Sequence, residues 1–334
     1  MSEGSNLSPQ EKAILKLILK GQSIIDWPRL RFSTEEEVRH FLKINEFDLK
    51  KPKDLDRLTE IHNEAIGYLR RELKFSLDPE IAKPDRIPDL FLIASGEKRG
   101  KPAKQACALL KVMNIVHHID GRELLTNCPI SLRDLFSLVE DKVERALSSL
   151  TRVDSLVLKY QGGRKPKESL ITKLLCKRAT IAAQIYDRVR YRIVTKKKED
   201  IVAVVLRLFE TILPFNYVIP EASVNHLIRL DLKDRAHLLR EGLARRLHPV
   251  DLMEYSGATY KVCKFVVDIP IRMDNFLASS SGYPYRESLG SISYVLVEFQ
   301  IVDEETESLN NVGRNSHENY KKRQKRGVVR RLVG

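Results

Sequence analysis

Apolar residues recur at helical spacing through roughly the first 150 residues of the chain. The spacing of three to four positions is clearest over Leu7 to Lys20, Leu55 to Leu73, Ala103 to Val116 and Leu132 to Leu150. A Ser-Thr pair followed by three glutamates, at residues 33–37, is typical of a helix start. The pattern therefore predicts a helical N-terminal domain over residues 1–150.

The pattern changes after about residue 150, where β-branched residues begin to alternate with polar ones. Residues 190–194, 260–271 and 291–302 have the alternation of half-buried strands, whereas residues 200–212 have the spacing of an amphipathic helix. Helices interspersed among strands predict a mixed sheet flanked by helices, so that the whole chain is α+β. We assign residues 151–320 to this second domain.

Two segments lack either periodicity. Residues 274–290 are polar and rich in Ser, Gly and Tyr, which predicts a loop. Residues 321–334 form a strongly basic C-terminal tail, which is either the end of a helix or a mobile segment.

The composition is that of a globular protein with a core in each of two domains, since 43% of its 334 residues are hydrophobic. It contains no apolar run of about 18 residues, so no membrane span is expected. The polar first residues lack the apolar segment of a signal peptide. The four cysteines are widely spaced without a CxxC pair, which disfavours structural zinc and suits a reducing cytoplasm.

The formal net charge of +13 favours anionic partners: nucleotides, RNA, DNA or a lipid surface. Part of this charge lies in a basic stretch, where Lys173 and Lys177 share a helical face with Ser169 one turn before Lys173. Such a row of cations can line a polyphosphate, and it is also what a solvated helix face looks like. The cations of the stretch are Arg164, Lys165, Lys167, Lys173, Lys177 and Arg178.

Two acids are associated with the predicted strands. Asp187 lies at the mouth of the first strand, and Glu298 lies inside an otherwise apolar one. By strand parity Glu298 shares a face with Leu296 and Gln300. A carboxylate in such a strand requires an ion pair, hydrogen bonds or a metal, unless the strand is an exposed edge.

Taken in order, these patches resemble the synthetase domain of the RelA/SpoT family, the alarmone synthetases of the stringent response. The resemblance covers roughly residues 155–325. It consists of a basic segment running into Ser and Lys, an Asp five residues before an Arg, a Glu-x-Gln-Ile strand and a final His-x-x-Tyr-Lys. The matching positions are Gly163, Arg164, Lys167, Ser169 and Lys173; Asp187 and Arg192; Glu298 to Ile301; and His317, Tyr320 and Lys321.

The resemblance implies a nucleotidyltransferase-like fold that transfers pyrophosphate from ATP to a nucleotide 3′-hydroxyl with the help of Mg²⁺. It implies that Asp187 binds the metal, and that Glu298 helps to hold it or takes the proton of the attacking hydroxyl. Arg192 would lie near the phosphates or brace Asp187. The ATP phosphates would be held by the basic stretch: Arg164, Lys167, Ser169, Lys173, Lys177 and Arg178. On this basis we expect the carboxylates of Asp187 and Glu298 to converge within about 6 Å.

The chain departs from the family in the segment that binds the guanosine of the acceptor. Ala258 stands where the stacking Tyr belongs, so Tyr255 or Tyr260 would have to replace it from a shifted position. The N-terminal half also does not match the family's metal-dependent hydrolase. His117 and His118 point roughly 100° apart on a helix, and we interpret them as one buried and one exposed histidine at a helix end.

These patterns leave three functions open. The leading hypothesis is an ATP-dependent pyrophosphate or nucleotidyl transferase. The second is a non-catalytic RNA- or ribosome-associated protein on the same fold, and the third is an enzyme that transfers pyrophosphate to RNA ends. The net charge and the missing stacking Tyr favour RNA as a partner. The sequence leaves the acceptor and the oligomeric state open.

Overall fold

The computed structural model describes residues 7–27, 30–96, 100–128, 130–176, 188–228, 256–257, 259–279 and 287–333. Five residues of the sequence argument lie outside these ranges: Lys177, Arg178, Asp187, Tyr255 and Ala258. The expected convergence of Asp187 with Glu298 therefore stays a prediction.

The first part of the chain is helical, as predicted. Several of its helices begin with side chains that cap the N-terminus. Ser8 and Glu11 form a reciprocal capping box, and the side chains of Thr34 and Ser131 each accept a hydrogen bond from a backbone N–H. The helices are α1 (Pro9–Lys20), α2 (Glu35–Ile44), α3 (Pro52–Arg71), α4 (Pro79–Ala82), α5 (Asp89–Ser95), α6 (Lys101–Asn127) and α7 (Leu132–Ser149).

Helix α6 is longer than its sequence pattern suggested. It runs on to Asn127, so His117 and His118 lie inside the helix and not at its end. His117 is buried and His118 is partly exposed, as expected. The polar residues after Val116 have partners on both sides of the helix: Asp120 pairs with Arg57 of α3, and His118 and Arg122 pair with Asp268 of the sheet.

The second part of the chain forms one mixed five-stranded sheet. Its strands are β1 (Val157–Arg164), β2 (Val189–Thr195), β3 (Val224–Asn225), β4 (Cys263–Arg272) and β5 (Ile292–Asp303). They lie in the order β1-β2-β5-β4-β3; β2 and β5 are parallel and the other neighbours are antiparallel. The three predicted strands are confirmed as β2, β4 and β5. The pattern missed β1 because this edge strand is mostly exposed and contains two glycines.

The remaining helices are α8 (Lys167–Cys176), α9 (Asp200–Thr211), α10 (Asp274–Ser279), α11 (Glu304–Asn310) and α12 (His317–Val333). The loop prediction for residues 274–290 is wrong at α10, because Phe276 and Leu277 pack against the core. The basic C-terminal segment belongs to α12, which packs against α8; the Arg331 guanidinium donates to the Leu175 carbonyl at 2.9 Å. None of the described helices is long and apolar enough to cross a membrane.

One face of the sheet is an aromatic core. Tyr191, Phe299 and Phe265 lie side by side on three neighbouring strands, with ring centroids 6.0 and 5.5 Å apart. Helices α7 and α9 cover this face: the Tyr191 hydroxyl donates to the Glu140 carbonyl, and Phe209 packs on Phe265. The core continues from the sheet into the N-terminal helices. The domain division at residue 150 stays a prediction.

Helix α6 approaches the start of β5 so closely that only glycine fits at position 121. A Cβ built there would lie 2.7 Å from the Ile292 carbonyl oxygen and from Cδ2 of Tyr294. The Ser293 hydroxyl donates to the Gly121 carbonyl at 2.7 Å, which fixes the approach. The glycine therefore sets the distance between the helical layer and the sheet.

We predict that Gly121→Ala lowers the free energy of unfolding by about 1–3 kcal/mol, because a strand backbone and a buried ring would have to move. Gly67→Ala in α3 is the matched control, since the added methyl meets only the flexible end of Arg71. That change should raise the free energy of unfolding by about 0.5–1 kcal/mol through helix propensity. Denaturant unfolding of both variants measures the difference, and equal effects at the two positions would contradict the close-approach argument.

Candidate active site

The face of the sheet opposite the aromatic core carries a polar cluster centred on Glu298. This residue pairs in register with Arg190 of β2 on one side and Val266 of β4 on the other. Its side chain is only 8% exposed. The Gln300 amide donates to Oε1 of Glu298 at 2.7 Å, which confirms the shared face, and Nζ of Lys264 lies 3.9 Å from Oε2. A buried carboxylate is thus held among donors and cations.

Arg192 is the hub of the cluster. Its guanidinium donates to the Glu307 carboxylate of α11 at 2.8 Å, and to Oε1 of Gln300 and the Tyr260 hydroxyl at 2.9 Å each. Burial by itself lowers the pKa of Arg192, but the hydrogen bonds and charge of Glu307 and Tyr260 raise it overall. Its two expected roles, lying near the phosphates or bracing Asp187, stay predictions.

A rim of positive charge surrounds the cluster. His317, at the start of α12, has its pKa lowered by burial and then by the nearby charges of Lys321, Arg190, Lys165 and Arg192. These cations come from β2, from the loop after β1 and from α12. The Tyr320 ring lies 6.4 Å from the His317 ring and parallel to it. The structure therefore brings Arg192, Glu298, His317 and Lys321 into one region.

Arg164 is not part of this region. Its register partner on β2 is Val189, on the aromatic-core face. The guanidinium donates to both carboxylate oxygens of Glu140 on α7, at 2.7 to 3.0 Å, and to the Ser137 hydroxyl at 2.6 Å. The hydrogen bond with Glu140 raises the pKa of Arg164. The side chain is thus already neutralised by an acid of α7.

The remaining expected phosphate ligands lie on α8. Lys167 is exposed in its first turn, and Ser169 and Lys173 are half-buried further along. The backbone N–H of Ser169 donates to the Pro166 carbonyl at 3.0 Å. Since α8 packs on α12, it lies next to the helix that supplies His317 and Lys321.

The structure adds residues that the motif comparison missed. Arg190 and Lys264 flank the buried carboxylate, Lys165 contributes to the rim, and Tyr260 and Glu307 complete the network around Arg192. The alternation of side chains along β2 could have identified Arg190, since it lies two residues before Arg192 and therefore on the same face. The partners on β4 and α11 gave no sequence signal, because their proximity depends on the strand order.

The cluster suits an anion next to a carboxylate. The described residues contain no group of three or more acidic, His or Cys side chains that could hold a metal by themselves. Mg²⁺ commonly takes one or two carboxylates and completes its shell with water and substrate phosphates. Glu298 offers one such carboxylate, and the surrounding cations offer sites for phosphate oxygens.

No family model matches this sequence, and no curated protein is similar to it. Among solved structures, it is similar to small alarmone synthetase 2 from Bacillus subtilis, at 15% identity over 64% of this chain and 92% of that one, with a TM-score of 0.30. It is similar to small alarmone synthetase 1 from B. subtilis bound to its product pppGpp, at 17% identity over 60% and 88%, with a TM-score of 0.30. It is also similar to a GTP pyrophosphokinase family protein from Streptococcus pneumoniae, at 16% identity over 61% and 90%, with a TM-score of 0.30.

These proteins are of the class that the motif order in residues 155–325 resembles.

The lowered pKa of His317 gives a pH prediction. The folded-state pKa lies below the unfolded value of 6.5, so the folded state loses stability as the pH falls from 6.5 through the folded pKa. Because the neighbouring cations cause part of the shift, added pyrophosphate should move the folded pKa back upwards. Imidazole NMR titration with and without pyrophosphate measures both midpoints, with His317→Gln to assign the signal. A midpoint that pyrophosphate leaves unchanged would mean that the rim does not bind phosphate.

Proposed function

We propose that this chain is an ATP-dependent, Mg²⁺-assisted pyrophosphate or nucleotidyl transferase that acts on the 3′-hydroxyl of a nucleotide or of RNA in the cytoplasm. The observation that carries the proposal is a buried carboxylate, Glu298, with Lys264 at 3.9 Å and Arg190 in register beside it, at the position to which the motif resemblance assigns a catalytic acid. A structural carboxylate needs one good partner. Glu298 has a hydrogen-bond donor, Gln300, and a nearby ammonium, Lys264, and it lies in the same region as the basic rim.

In pyrophosphate transfer, the acceptor 3′-oxygen attacks the β-phosphorus of ATP. The bond from that phosphorus to the oxygen bridging to the α-phosphate breaks, AMP leaves, and the hydroxyl proton must be taken up. Most of the acceleration in such reactions comes from positioning and from neutralising phosphate charge. A buried base among fixed cations supplies both requirements.

We assign the proton acceptor or metal-ligand role to Glu298, and a metal-ligand role to Asp187. Bound Mg²⁺ would neutralise charge on the phosphates. Glu298 lies in the rigid centre of the sheet, where its neighbour Gln300 orients it and is itself held by Arg192. The carboxylate is therefore preorganised before substrate arrives.

For the phosphates we assign Arg190, Lys165 and Lys321 as ligands, with Lys167, Ser169, Lys173, Lys177 and Arg178 as further candidates. The contribution of the first three to lowering the pKa of His317 supports a shared positive region. Arg164 is better assigned to holding β1 against α7, because Glu140 and Ser137 already occupy its donors.

For the acceptor base we assign Tyr260 as the stacking surface in place of the family's Tyr. Its ring is half-buried, its hydroxyl accepts from Arg192, and that guanidinium lies 6.0 Å from the ring centroid. The side chain is thereby fixed beside the network that orients Glu298. Aromatic stacking accepts any base, so this position leaves guanosine and RNA ends as acceptors.

Incubation with γ-labelled ATP, Mg²⁺ and, separately, GDP, GTP and bulk RNA tests the proposal by showing which acceptor gains label. We predict that Glu298→Gln reduces the transfer rate on the order of 100-fold or more, as loss of a group that stabilises transition-state charge does. Lys165→Gln should instead raise the KM for ATP. No label on any of the three acceptors would refute pyrophosphate transfer. Nucleotidyl transfer releases the γ-phosphate in pyrophosphate, so the same incubations with α-labelled ATP test it, and no label on any acceptor there would refute it.

Two variants serve as controls in that assay. Glu304→Gln removes an exposed acid of α11, and Arg164→Gln removes the cation that Glu140 occupies. Both should retain parental transfer rates at saturating ATP. Circular dichroism of all four variants checks that the fold is intact, so that a lost rate is not an unfolded protein.

A non-catalytic RNA-binding role is the second candidate, and a specific surface favours it. Lys322, Arg326 and Arg330 are exposed and lie four residues apart, on one face of α12. Among the described residues, Lys322 is the one of the three that has an ion-pair partner, Glu318 at 2.5 Å. Such a row matches the spacing of a phosphate backbone better than that of a single nucleotide.

We predict that replacing Lys322, Arg326 and Arg330 together by Gln lowers the slope of log K against log salt for single-stranded RNA by about 2, at about 0.7 per lost contact. Replacing the exposed Lys43, Lys50 and Lys53 removes the same charge from another surface and should leave the slope unchanged. Filter binding at several salt concentrations gives the slopes. Equal slopes for the two triple variants would show that α12 is not the RNA contact.

A further inference from the structure

An apolar cavity of about 90 Å³ lies among the N-terminal helices, and none of its lining residues belongs to the cluster around Glu298. It opens between α2, α3, α5 and α6, and it is closed by the turn at Phe215–Tyr217 that follows α9. Its walls are mainly aromatic, with Trp27, Phe41, Phe47, Phe91, Phe215 and Tyr217 among the lining residues.

One wall of the cavity is polar. Lys111, Asn114 and His117 all line it, and they lie three residues apart along α6. Such spacing puts them on one face of the helix, in a row about 9 Å long. The row runs from half-buried Lys111 to His117, which is 6% exposed. It therefore leads from the surface into the interior.

The inner end of the row has polar atoms without hydrogen-bond partners. Within the described part of the chain, neither ring nitrogen of buried His117 has one, and neither does Oδ1 of Asn216. The Asn216 amide group itself is fixed, because it donates to Asn45 at 3.0 Å and to Asn114 at 2.7 Å. Leaving such groups unpaired is unfavourable, so a polar molecule that forms hydrogen bonds with them is stabilised there.

The charge state of the inner end is set by its surroundings. Burial, followed by the charges of Arg57 and His118, lowers the pKa of His117 to about 3. The ring is therefore neutral near pH 7, with one N–H donor and one acceptor nitrogen. Together with the Asn216 oxygen, the inner end presents two acceptors and one donor, which suits a hydroxyl group.

The outer end of the row suits a negatively charged group. Lys111 has no hydrogen bond or ion pair among the residues that the structure describes. An ammonium at the mouth of an apolar cavity favours a carboxylate.

From this arrangement we propose that the cavity binds a small aromatic carboxylic acid with a hydroxyl group at the end remote from the carboxylate. The ring lies against the aromatic walls, the hydroxyl bonds His117 and Asn216, and the carboxylate meets Lys111. Aromatic walls with a few convergent polar groups are the usual make-up of a small-molecule site. The proposal does not depend on the transferase activity, since none of these residues belongs to the cluster around Glu298.

The chain reports on this site directly, because Trp27 is its only tryptophan and lines the cavity. The probe is 4-hydroxyphenylacetate, titrated against the full-length protein with excitation selective for tryptophan. We expect a saturable change in Trp27 emission. Phenylacetate, which lacks the hydroxyl, and p-cresol, which lacks the carboxylate, should each bind roughly tenfold more weakly, as expected for loss of one strong polar contact.

Two variants separate the ends of the site. Lys111→Met keeps the length of the side chain without its charge; it should weaken 4-hydroxyphenylacetate roughly tenfold and leave p-cresol unchanged. His117→Phe keeps a ring without nitrogens and should abolish the preference for 4-hydroxyphenylacetate over phenylacetate. If His117→Phe does not fold, Asn216→Leu tests the same preference, and Lys111→Met at the surface tests the outer end independently.

Thermal unfolding followed by circular dichroism completes the test. Saturating 4-hydroxyphenylacetate should raise the unfolding midpoint of the parent protein, and it should raise that of Lys111→Met by less. An emission change that rises linearly without saturation would overturn the proposal. So would equal affinity of the three probes, because the polar row would then contribute nothing to recognition.

Discussion

The parallel pairing of β2 with β5 is the contact on which the rest of the second half depends. It sets Tyr191 beside Phe299 on one face and Arg192 beside Gln300 on the other. The same backbone hydrogen bonds therefore fix the aromatic core and the network around Glu298. A slip of β5 by one residue would move its apolar side chains to the polar face, so the apolar requirement of one face enforces the polar geometry of the other.

The helical layer is joined to the sheet by charges as well as by apolar packing. Arg272 of β4 pairs with Asp54 of α3 at 2.8 Å, and Lys142 of α7 donates to the Pro270 carbonyl at 3.0 Å. Asp268, fully buried on β4, is held by His118 at 2.8 Å and by Arg122. Breaking one partner of a buried pair is strongly unfavourable even where the pair adds little net stability. These pairs make one docking arrangement of helices on sheet much better than its neighbours.

Local patterns predicted the regular elements well and their assembly poorly. The helices of the first half and strands β2, β4 and β5 follow from spacing, because each buries one face. Strand β1 was not predicted because it lies at an exposed edge of the sheet. Helix α10 was not predicted because its segment is polar overall, although Phe276 and Leu277 pack against the core. At the site, the acid Glu298 and its neighbours Arg192 and Gln300 follow from parity. Lys264, Tyr260 and Glu307 do not, since the strand order that brings β4 and α11 to Arg192 is a property of the whole sheet. The assignment of Arg164 could not anticipate Glu140, whose helix lies on the opposite face.

The position of β5 in the sheet has a consequence for how the chain is made. The central strand is the last to be synthesised: its neighbour β2 ends at Thr195, long before β5 begins at Ile292, whereas β4 ends at Arg272, shortly before it. At about 5–20 residues per second, the roughly 100 residues from β2 to the start of β5 take several seconds to emerge. During that interval β2 exposes an unpaired edge and an apolar face, and β4 joins it only near the end; exposed edges of this kind are the condition in which strands pair wrongly. The N-terminal helices are already synthesised by then and can pack against the exposed apolar face until β5 arrives. We therefore expect nascent chains of this protein to be most prone to aggregation just before residue 303 is released.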